Sequence, residues 1–326
     1  MSARPAFVLA GIDEAGLGPL LGSLALGYSA LEVHEGEPDP WKRLRGTVAK
    51  APGKRARLVV ADSKIVFQRN AIGARRLEKT ALSFLTQLAP GREPLRSSER
   101  LLYGTLAPEP ALRAMPWIAH LPPLPCDCEA ESIELSAALL ARALERAGLR
   151  LVDAGVRMVP AAELNASYAV TSNKARSVWE RVVEVLARVW ELRRTAPVRA
   201  MVDMLGGRRR YGSLIALAFP GADVRLVEET RLSATYSLGA RDGSGSMELE
   251  FRVQGERHSF PVALASCLAK YARELEMRAF NAYFATLQPE LKPTAGYRND
   301  GHRWLRDAEV ALERSGLARE VYVRER

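Results

Sequence analysis

Apolar and polar positions along the chain follow two periods, one typical of strands and one typical of helices. Short apolar runs bounded by turn-forming residues predict buried strands. These runs are residues 6–12, 22–32, 58–64, 151–161, 198–205 and 223–229. Residues 234–258 alternate apolar and polar side chains around the turn GARDGSGS, which predicts a β-hairpin.

Other segments repeat apolar residues every three or four positions, as a helix with one buried face does. They cover residues 72–88, 133–149, 165–194, 211–219, 261–287 and 300–315. Within residues 165–194 we expect the helix to begin near Ser172. Because strands alternate with helices along the chain, the pattern predicts an α/β fold.

The stretch from about residue 89 to 130 differs from its surroundings because it is rich in Pro, Gly and Ser. We interpret it as an irregular insertion with a local helix around residues 112–118. The predicted hairpin is a second insertion, over about residues 236–258. The chain, residues 1–326, is therefore expected to form one domain with two insertions, whose role the sequence leaves open.

The composition is that of a folded protein without a membrane span. Hydrophobic residues make up 48% of 326 residues, enough for a large core, and 26% are charged. No apolar run approaches the roughly 18 residues that a span needs, and the first residues lack the plan of a signal peptide. We expect a cytoplasmic protein that does not bind membranes and is a monomer.

The cysteines and the net charge add less specific information. Cys126, Cys128 and Cys267 lack the spacing of a disulfide framework or a zinc site, so we expect reduced thiols. The formal net charge is +9, and most of the cations are arginines, which suit bidentate contacts with phosphate. A polyanionic partner and a simple bias toward arginine explain this charge equally well.

Four acidic residues stand out because they lie at strand ends or within a long helix. Asp13 and Glu14 follow the first predicted strand, Asp203 ends the strand VRAMVD, and Glu274 lies in the helix from residue 261. Several carboxylates that meet at strand ends form an oxygen site suited to Mg²⁺ or Mn²⁺. Taken singly, an aspartate at a strand end is more often a turn or cap residue.

Six motifs, in order along nearly the whole chain, resemble those of ribonuclease HII. They are GIDEAGLGPLLG (11–22), ADSK with ARRLEK (61–79), VPAAELN with NKAR (159–176), VDMLGG…FPG (202–221), FPVALASCLAKYARE (260–274) and AGYRNDGHRWL (295–305). The resemblance implies a ribonuclease H-like fold, in which helices flank a mixed central β-sheet.

The resemblance also implies roles for individual residues. Asp13, Glu14, Asp203 and Glu274 would be the catalytic metal ligands, with Mg²⁺ or Mn²⁺ as the cofactor. The implied substrate-binding residues are Gly16, Leu17, Gly18, Lys64, Lys270, Arg273 and Tyr297. In this set the two glycines would bring backbone amides to the substrate, and the lysine at position 64 would contact a phosphate or support the acids.

Two positions depart from the ribonuclease HII pattern. Leu17 stands where that family has an arginine, in a Gly-Arg-Gly motif that reads the 2′-hydroxyl of a ribonucleotide. Glu274 stands where that family has an aspartate, whereas the related ribonuclease HIII has glutamate there and lacks the arginine. The preference between HII-like and HIII-like substrates therefore stays open.

The resulting hypothesis is a metal-dependent endonuclease. It would hydrolyse the RNA strand of RNA–DNA hybrids, or duplexes that contain ribonucleotides, and leave 3′-hydroxyl and 5′-phosphate ends. The first alternative is a diverged, weakly active or inactive homologue that binds nucleic acid. The second is a nuclease of related fold that acts on another structured nucleic acid.

Overall fold

The computed structural model describes residues 7–34, 38–53, 57–103, 115–204, 208 and 210–325. Two features expected from the sequence lie partly outside these residues. They are the start of the local helix predicted around 112–118 and the glycine pair at 206–207.

Most of the described strands follow the predicted apolar runs, but only residues 58–59 of the run 58–64 form a strand, and the short strand at 48–49 was not predicted. The bounds of the strands are β1 Phe7–Ala15, β2 Leu24–Val33, β3 Val48–Ala49, β4 Leu58–Val59, β5 Leu149–Val159, β6 Val198–Asp203, β7 Ala222–Glu229, β8 Ser233–Ala240 and β9 Ser246–Arg252. Two of them, β3 and β4, form a small parallel pair apart from the rest.

In the described part of the chain, seven strands form one mixed sheet in the order β5-β2-β1-β6-β9-β8-β7. The first three strands of this sheet in sequence, β1, β2 and β5, pair antiparallel. At the centre, β6 pairs parallel with both β1 and β9. The ends of β1 and β6 therefore meet at the same edge of the sheet, and this is where Asp13 and Asp203 lie.

The helices have the following bounds: α1 Pro40–Arg43, α2 Ser63–Val66, α3 Ala71–Leu85, α4 Ser98–Tyr103, α5 Ala130–Arg146, α6 Ala161–Thr171, α7 Lys174–Glu191, α8 Gly212–Ala218, α9 Phe260–Leu287, α10 Arg298–Asp307 and α11 Glu309–Ser315. Single 3₁₀ turns lie at Thr86–Leu88, Pro90–Arg92, Pro116–His120, Leu192–Arg194, Gly255–Arg257 and Arg319–Val321.

The helix expected within 165–194 begins at Lys174, close to the predicted start near Ser172, and the residues before it form a separate helix, α6. Ser172 has a left-handed φ of 48° and ends α6, and the side chain of Asn173 caps the N-terminus of α7. The predicted hairpin over 234–258 exists as β8 and β9. It belongs to the main sheet, because β9 is an inner strand beside β6.

Helices cover both faces of the sheet over two separate cores. Alternate side chains of β1 enter opposite cores, since successive residues of a strand point to opposite faces. One core contains apolar residues of α3, α5 and α9, and the other contains those of α7 and α8. The expected fold class, an α/β protein with a mixed central sheet flanked by helices, is confirmed.

Two glycines let α9 approach the sheet closely enough to reach the acidic edge. A Cβ atom at Gly11 would lie 2.1 Å from the backbone nitrogen of Val262, and one at Gly27 would lie 2.1 Å from the carbonyl oxygen of Ala265. Only glycine fits at such distances.

Among the described residues, no helix is both long and apolar enough to span a bilayer.

Candidate active site

Three of the four predicted acids meet at the edge of the sheet. Asp13 and Glu14 lie among the last three residues of β1, and Asp203 is the final residue of the neighbouring parallel strand β6. One carboxylate oxygen from each lies within 4.8 Å of the others. Such a set of oxygen donors fits the coordination that Mg²⁺ and Mn²⁺ prefer.

The ionised form of each carboxyl group is disfavoured at this edge. Burial raises the pKa of Asp13 well above its ordinary value, and the charge of Glu14 raises it further. Burial and the charge of Asp203 raise the pKa of Glu14 to about 7. Burial also raises the pKa of Asp203. Because a bound cation would favour the ionised forms, this arrangement fits a metal site.

Lys64 is the cation that acts on these acids. Its charge lowers the pKa of both Glu14 and Asp203, against the effect of burial. The backbone before it is fixed by Asp62, whose carboxylate accepts a 2.9 Å hydrogen bond from the Lys64 N–H. Asp62 therefore acts as the cap of α2.

A serine of α9 connects this lysine segment to the first acid. The hydroxyl oxygen of Ser266 accepts a hydrogen bond of 3.3 Å from the backbone N–H of Ser63. A side-chain hydrogen bond between Ser266 and Asp13 favours the ionised carboxylate. The closeness that Gly11 and Gly27 allow is what brings this serine to the acids.

Glu274, the fourth predicted ligand, is not in the group of acids that the described residues form at this edge. It lies two helical turns beyond Ser266, which corresponds to about 12 Å along the axis of α9. Its carboxylate pairs with the ammonium of Lys270, 2.5 Å away. Lys270 also lies over the ring of Phe67.

Glu256 is an acid near the site that the sequence analysis did not select. It lies in the 3₁₀ turn between β9 and α9, and Gly255 beside it donates a backbone hydrogen bond to Asp203. Burial raises the pKa of Glu256, the charge of Asp203 raises it further, and Lys64 lowers it. Asp203 and Lys64 therefore act on the pKa of Glu256 in the same directions as on that of Glu14.

The glycine-rich turn after Glu14 is held from inside the protein. Gly16 has a φ of 93°, which favours glycine, and a Cβ atom there would meet the side chain of Arg273. Arg273 is buried and donates to the carbonyl oxygens of Leu21 and Ser23. It supports the turn from inside the protein, whereas the family resemblance implied a contact with substrate.

Leu17 turns toward the core on the α7 face of the sheet. It lines a small cavity together with apolar side chains from β2, α6 and α7, namely Leu24, Leu164 and Val178. Gly18 is exposed, and a Cβ atom there would have no neighbour within 4 Å. The turn therefore presents backbone rather than a side chain to the solvent.

Tyr297, like Lys64, is an exposed side chain among those that were predicted to bind substrate. It is 41% exposed and precedes α10, and the guanidinium of Arg69 lies 5.1 Å from the centre of its ring. Lys270, by contrast, is buried. Of the predicted substrate contacts, Gly18, Lys64 and Tyr297 are the ones best placed for a role at the surface.

A second group of possible ligands consists of Glu78, Cys126 and Asp127. The Glu78 carboxylate is already bonded to three successive backbone N–H groups, those of residues 126–128, and to the hydroxyl of Tyr271. These bonds fix the end of the 89–130 insertion onto α3 and α9. The cysteines are free thiols, as expected, and burial raises the pKa of Cys126 and of Cys128 to about 12.

Comparison with known proteins found solved structures of similar shape. No family model and no curated protein matches the chain. The RNase HII in the PCNA:RNase HII complex from Archaeoglobus fulgidus is 15% identical with a TM-score of 0.45, and the match covers 98% of this chain and 94% of that one. Ribonuclease H2 from Pyrococcus horikoshii is 16% identical with a TM-score of 0.42 and coverages of 97% and 92%.

Aquifex aeolicus RNase H3 is 14% identical with a TM-score of 0.37, and the match covers 97% of this chain and 70% of that one. All three proteins carry a ribonuclease HII, H2 or H3 name, the group that the sequence motifs resemble. At these identities the case for a function has to come from the residues of the acidic edge.

Proposed function

We propose that this protein is a type 2 ribonuclease H that hydrolyses the RNA strand of an RNA–DNA hybrid with divalent metal ions. The observation that carries the proposal is the meeting of Asp13, Glu14 and Asp203 at the ends of two parallel strands, within 4.8 Å of one another. Burial disfavours their ionised forms in the absence of a cation. Mg²⁺ or Mn²⁺ bound there would activate a water and stabilise the leaving oxygen at a phosphodiester.

We further propose that Glu256, rather than Glu274, completes the acidic set. Its turn is tied to Asp203 by the Gly255 hydrogen bond, and its pKa responds to the Asp203 charge. Glu274 is neutralised by Lys270, a pairing that suits a structural role on α9. In this proposal Lys64 balances the negative charge of the acids and lies where it can approach a phosphate of the scissile strand.

The turn Gly16–Leu17–Gly18 supports recognition of the duplex backbone. Since Leu17 packs into the core, the turn has backbone N–H groups to offer to a phosphate or a sugar. A-form hybrids are recognised largely through such backbone and 2′-hydroxyl contacts across the shallow minor groove. We propose that runs of ribonucleotides are cleaved in preference to a single embedded one.

Cleavage of matched duplexes tests the proposal. An end-labelled RNA–DNA hybrid, and RNA–RNA and DNA–DNA duplexes of the same sequence, are incubated with Mg²⁺, Mn²⁺ or EDTA. We expect cleavage of the hybrid alone, dependent on metal, with 3′-hydroxyl and 5′-phosphate products. Asp203→Asn should lower the rate on the order of a thousandfold, because a metal-bound transition state is stabilised by several kcal/mol.

Asp223→Asn is the matched control, since Asp223 is exposed on the edge strand β7 and pairs with Arg241. This variant should cleave as the parent does. Full activity of Asp203→Asn would contradict the proposal. Binding of the hybrid without cleavage in either metal would support the alternative of an inactive homologue, and cleavage of a different duplex would support a nuclease of other specificity.

A further inference from the structure

The N-terminal turn of α7 reaches the glycine-rich turn that follows the catalytic acids. The ammonium of Lys174, the first residue of α7, donates a 3.2 Å hydrogen bond to the carbonyl oxygen of Leu17. A cation is thus present at the turn although position 17 is a leucine. It comes from a helix 157 positions further along the chain.

We propose that Lys174 and the start of α7 bind a backbone phosphate of the nucleic acid beside Gly18. This inference rests on the proposed function, because it assigns a substrate contact to the same site. An 18-residue helix carries unpaired N–H groups and a partial positive charge at its N-terminus, both of which favour a phosphate. Lys174 is exposed and places a full charge at that end.

A buried arginine at the same place gives independent support. Arg324 is 7% exposed and lines the small cavity that Leu17 and Lys174 also line. Within the described residues its Nη2 group is buried and has no hydrogen-bond partner. The Nε and Nη1 groups of the same guanidinium donate to the backbone carbonyls of Gly22 and Gly16, and an acceptor at Nη2, such as a hydration water of a bound anion, would complete the group.

The positive surface continues away from the acids along α7. Arg176 and Arg208 line the neighbouring cavity together with the capping residue Asn173. Lys174 and these two arginines therefore form a group of cations near the N-terminal end of α7. Such a group suits binding to the phosphates of a strand.

The contact between Lys174 and a phosphate should increase the affinity for nucleic acid without distinguishing ribose from deoxyribose. A lysine ammonium is a point charge that binds phosphate without reading the sugar, whereas an arginine in the turn could form directed bonds with a 2′-hydroxyl. Because Leu17 is withdrawn into the core, Lys174 supplies charge at the turn without the geometry of that arginine. The expected result is backbone binding that is largely indifferent to the identity of the sugar at this position.

Binding of a short RNA–DNA hybrid to Asp203→Asn protein in Mg²⁺ tests the inference without cleavage. Adding Lys174→Gln should weaken binding and lower the slope of log affinity against log salt by about one, as loss of one phosphate contact does. Lys174→Arg should keep the slope. Arg142→Gln, an exposed site on α5 at the other face of the sheet, removes the same charge and should leave the slope unchanged.

Neutral methylphosphonate linkages, introduced one at a time in each strand, then locate the contact. A methylphosphonate at the phosphate that Lys174 contacts should weaken binding by the protein that retains Lys174. The same linkage should have no effect on binding by the Lys174→Gln protein. An unchanged salt slope in Lys174→Gln, or equal sensitivity of both proteins at every linkage, would overturn this inference while hybrid binding upholds the proposed function. Failure of the Asp203→Asn parent to bind any hybrid would overturn both.

Discussion

The carboxylate of Asp203 accepts a 2.9 Å hydrogen bond from the backbone N–H of Gly255. This bond ties the end of β6 to the turn that precedes α9. Glu256 follows directly, and the charge of Asp203 raises its pKa, so the turn has a further carboxyl group near these acids. The first prediction follows from this relationship.

Replacing Glu256 with glutamine should impair hydrolysis, whereas the same change at Glu274 should not. Loss of a group that supports the metal ligands typically costs on the order of 10–100-fold in metal affinity or activity. The Lys270–Glu274 pair is a helical i,i+4 contact, worth only a few tenths of a kcal/mol, so Glu274→Gln should change the rate less than about threefold. Steady-state rates of the two variants across a Mg²⁺ titration decide between the two positions. A larger loss of rate in Glu274→Gln than in Glu256→Gln would restore Glu274 as the fourth acid.

Glu14→Gln should stabilise the metal-free protein near pH 8. Burial and the charge of Asp203 raise the pKa of Glu14 from 4.5 to about 7. A carboxyl group with a raised folded-state pKa contributes its stability below the unfolded pKa and loses it as pH rises through the folded value. The wild type in EDTA should therefore lose stability between about pH 4.5 and 7 through this group, by up to a few kcal/mol.

Thermal unfolding in EDTA at pH 5 and pH 8 measures this effect. The variant should melt above the wild type at pH 8 and close to it at pH 5. Adding Mg²⁺ should raise the melting temperature of the wild type more than that of the variant, because a cation favours the ionised acids. Identical melting curves at pH 8 would mean that burial of Glu14 carries no such cost.

Leu17→Ala should lower stability while leaving hybrid cleavage close to normal. Leu17 is half-buried against Leu24, Leu164 and Val178, so truncation should cost about 1–2 kcal/mol. Urea unfolding measures the change, and Leu217→Ala is the control because Leu217 is 79% exposed. A loss of cleavage at unchanged stability would instead give the leucine side chain a role in substrate binding.

Glu78→Gln should destabilise the fold because the buried carboxylate accepts bonds from the N–H groups of residues 126–128 and from Tyr271. An amide offers one acceptor oxygen and a mismatched NH₂ group, so we expect a loss of about 3 kcal/mol. The exposed Glu131 provides the control, Glu131→Gln, with little change. Unfolding free energies from urea titration compare the two.

The pH dependence of the same group gives a second measurement. Burial alone would raise the pKa of Glu78, but the hydrogen bonds from Cys126 and Tyr271 outweigh it, and the pKa is lowered. Its contribution should therefore be present above the ordinary glutamate pKa and be lost as pH falls through the lowered value. The difference in stability between wild type and Glu78→Gln should shrink in acid, and a constant difference would contradict this account.

The sequence predicted most of the sheet because each strand carries its own period of apolar residues. Asp13, Glu14 and Asp203 were predictable for the same reason, since they lie at the ends of apolar runs that had to be strands. The separate helix α6 was harder to predict, because the residues on both sides of Ser172 favour helix. In the structure the left-handed backbone of Ser172 ends α6, and the side chain of Asn173 caps α7.

Glu256, the fourth acid that we propose, was not selected because its position depends on pairing distant in sequence. The hairpin β8–β9 was interpreted as an insertion, and its acid became relevant only when β9 paired with β6. The one local signal is an acid in a glycine turn directly before the cap of a long helix. Glu274 was favoured by its place in a motif, but helical geometry separates it from Ser266 by two turns.

Arg324 connects the last described residues of the chain to the glycine-rich turn that follows Glu14. Its guanidinium donates to the carbonyl oxygens of Gly16 and Gly22, and the first of these bonds spans 308 positions. On the ribosome β1 emerges long before Arg324, so the turn beside it lacks this support until that residue has been added and released. Chains that stop short of this arginine should therefore be folded in part but slow to cut.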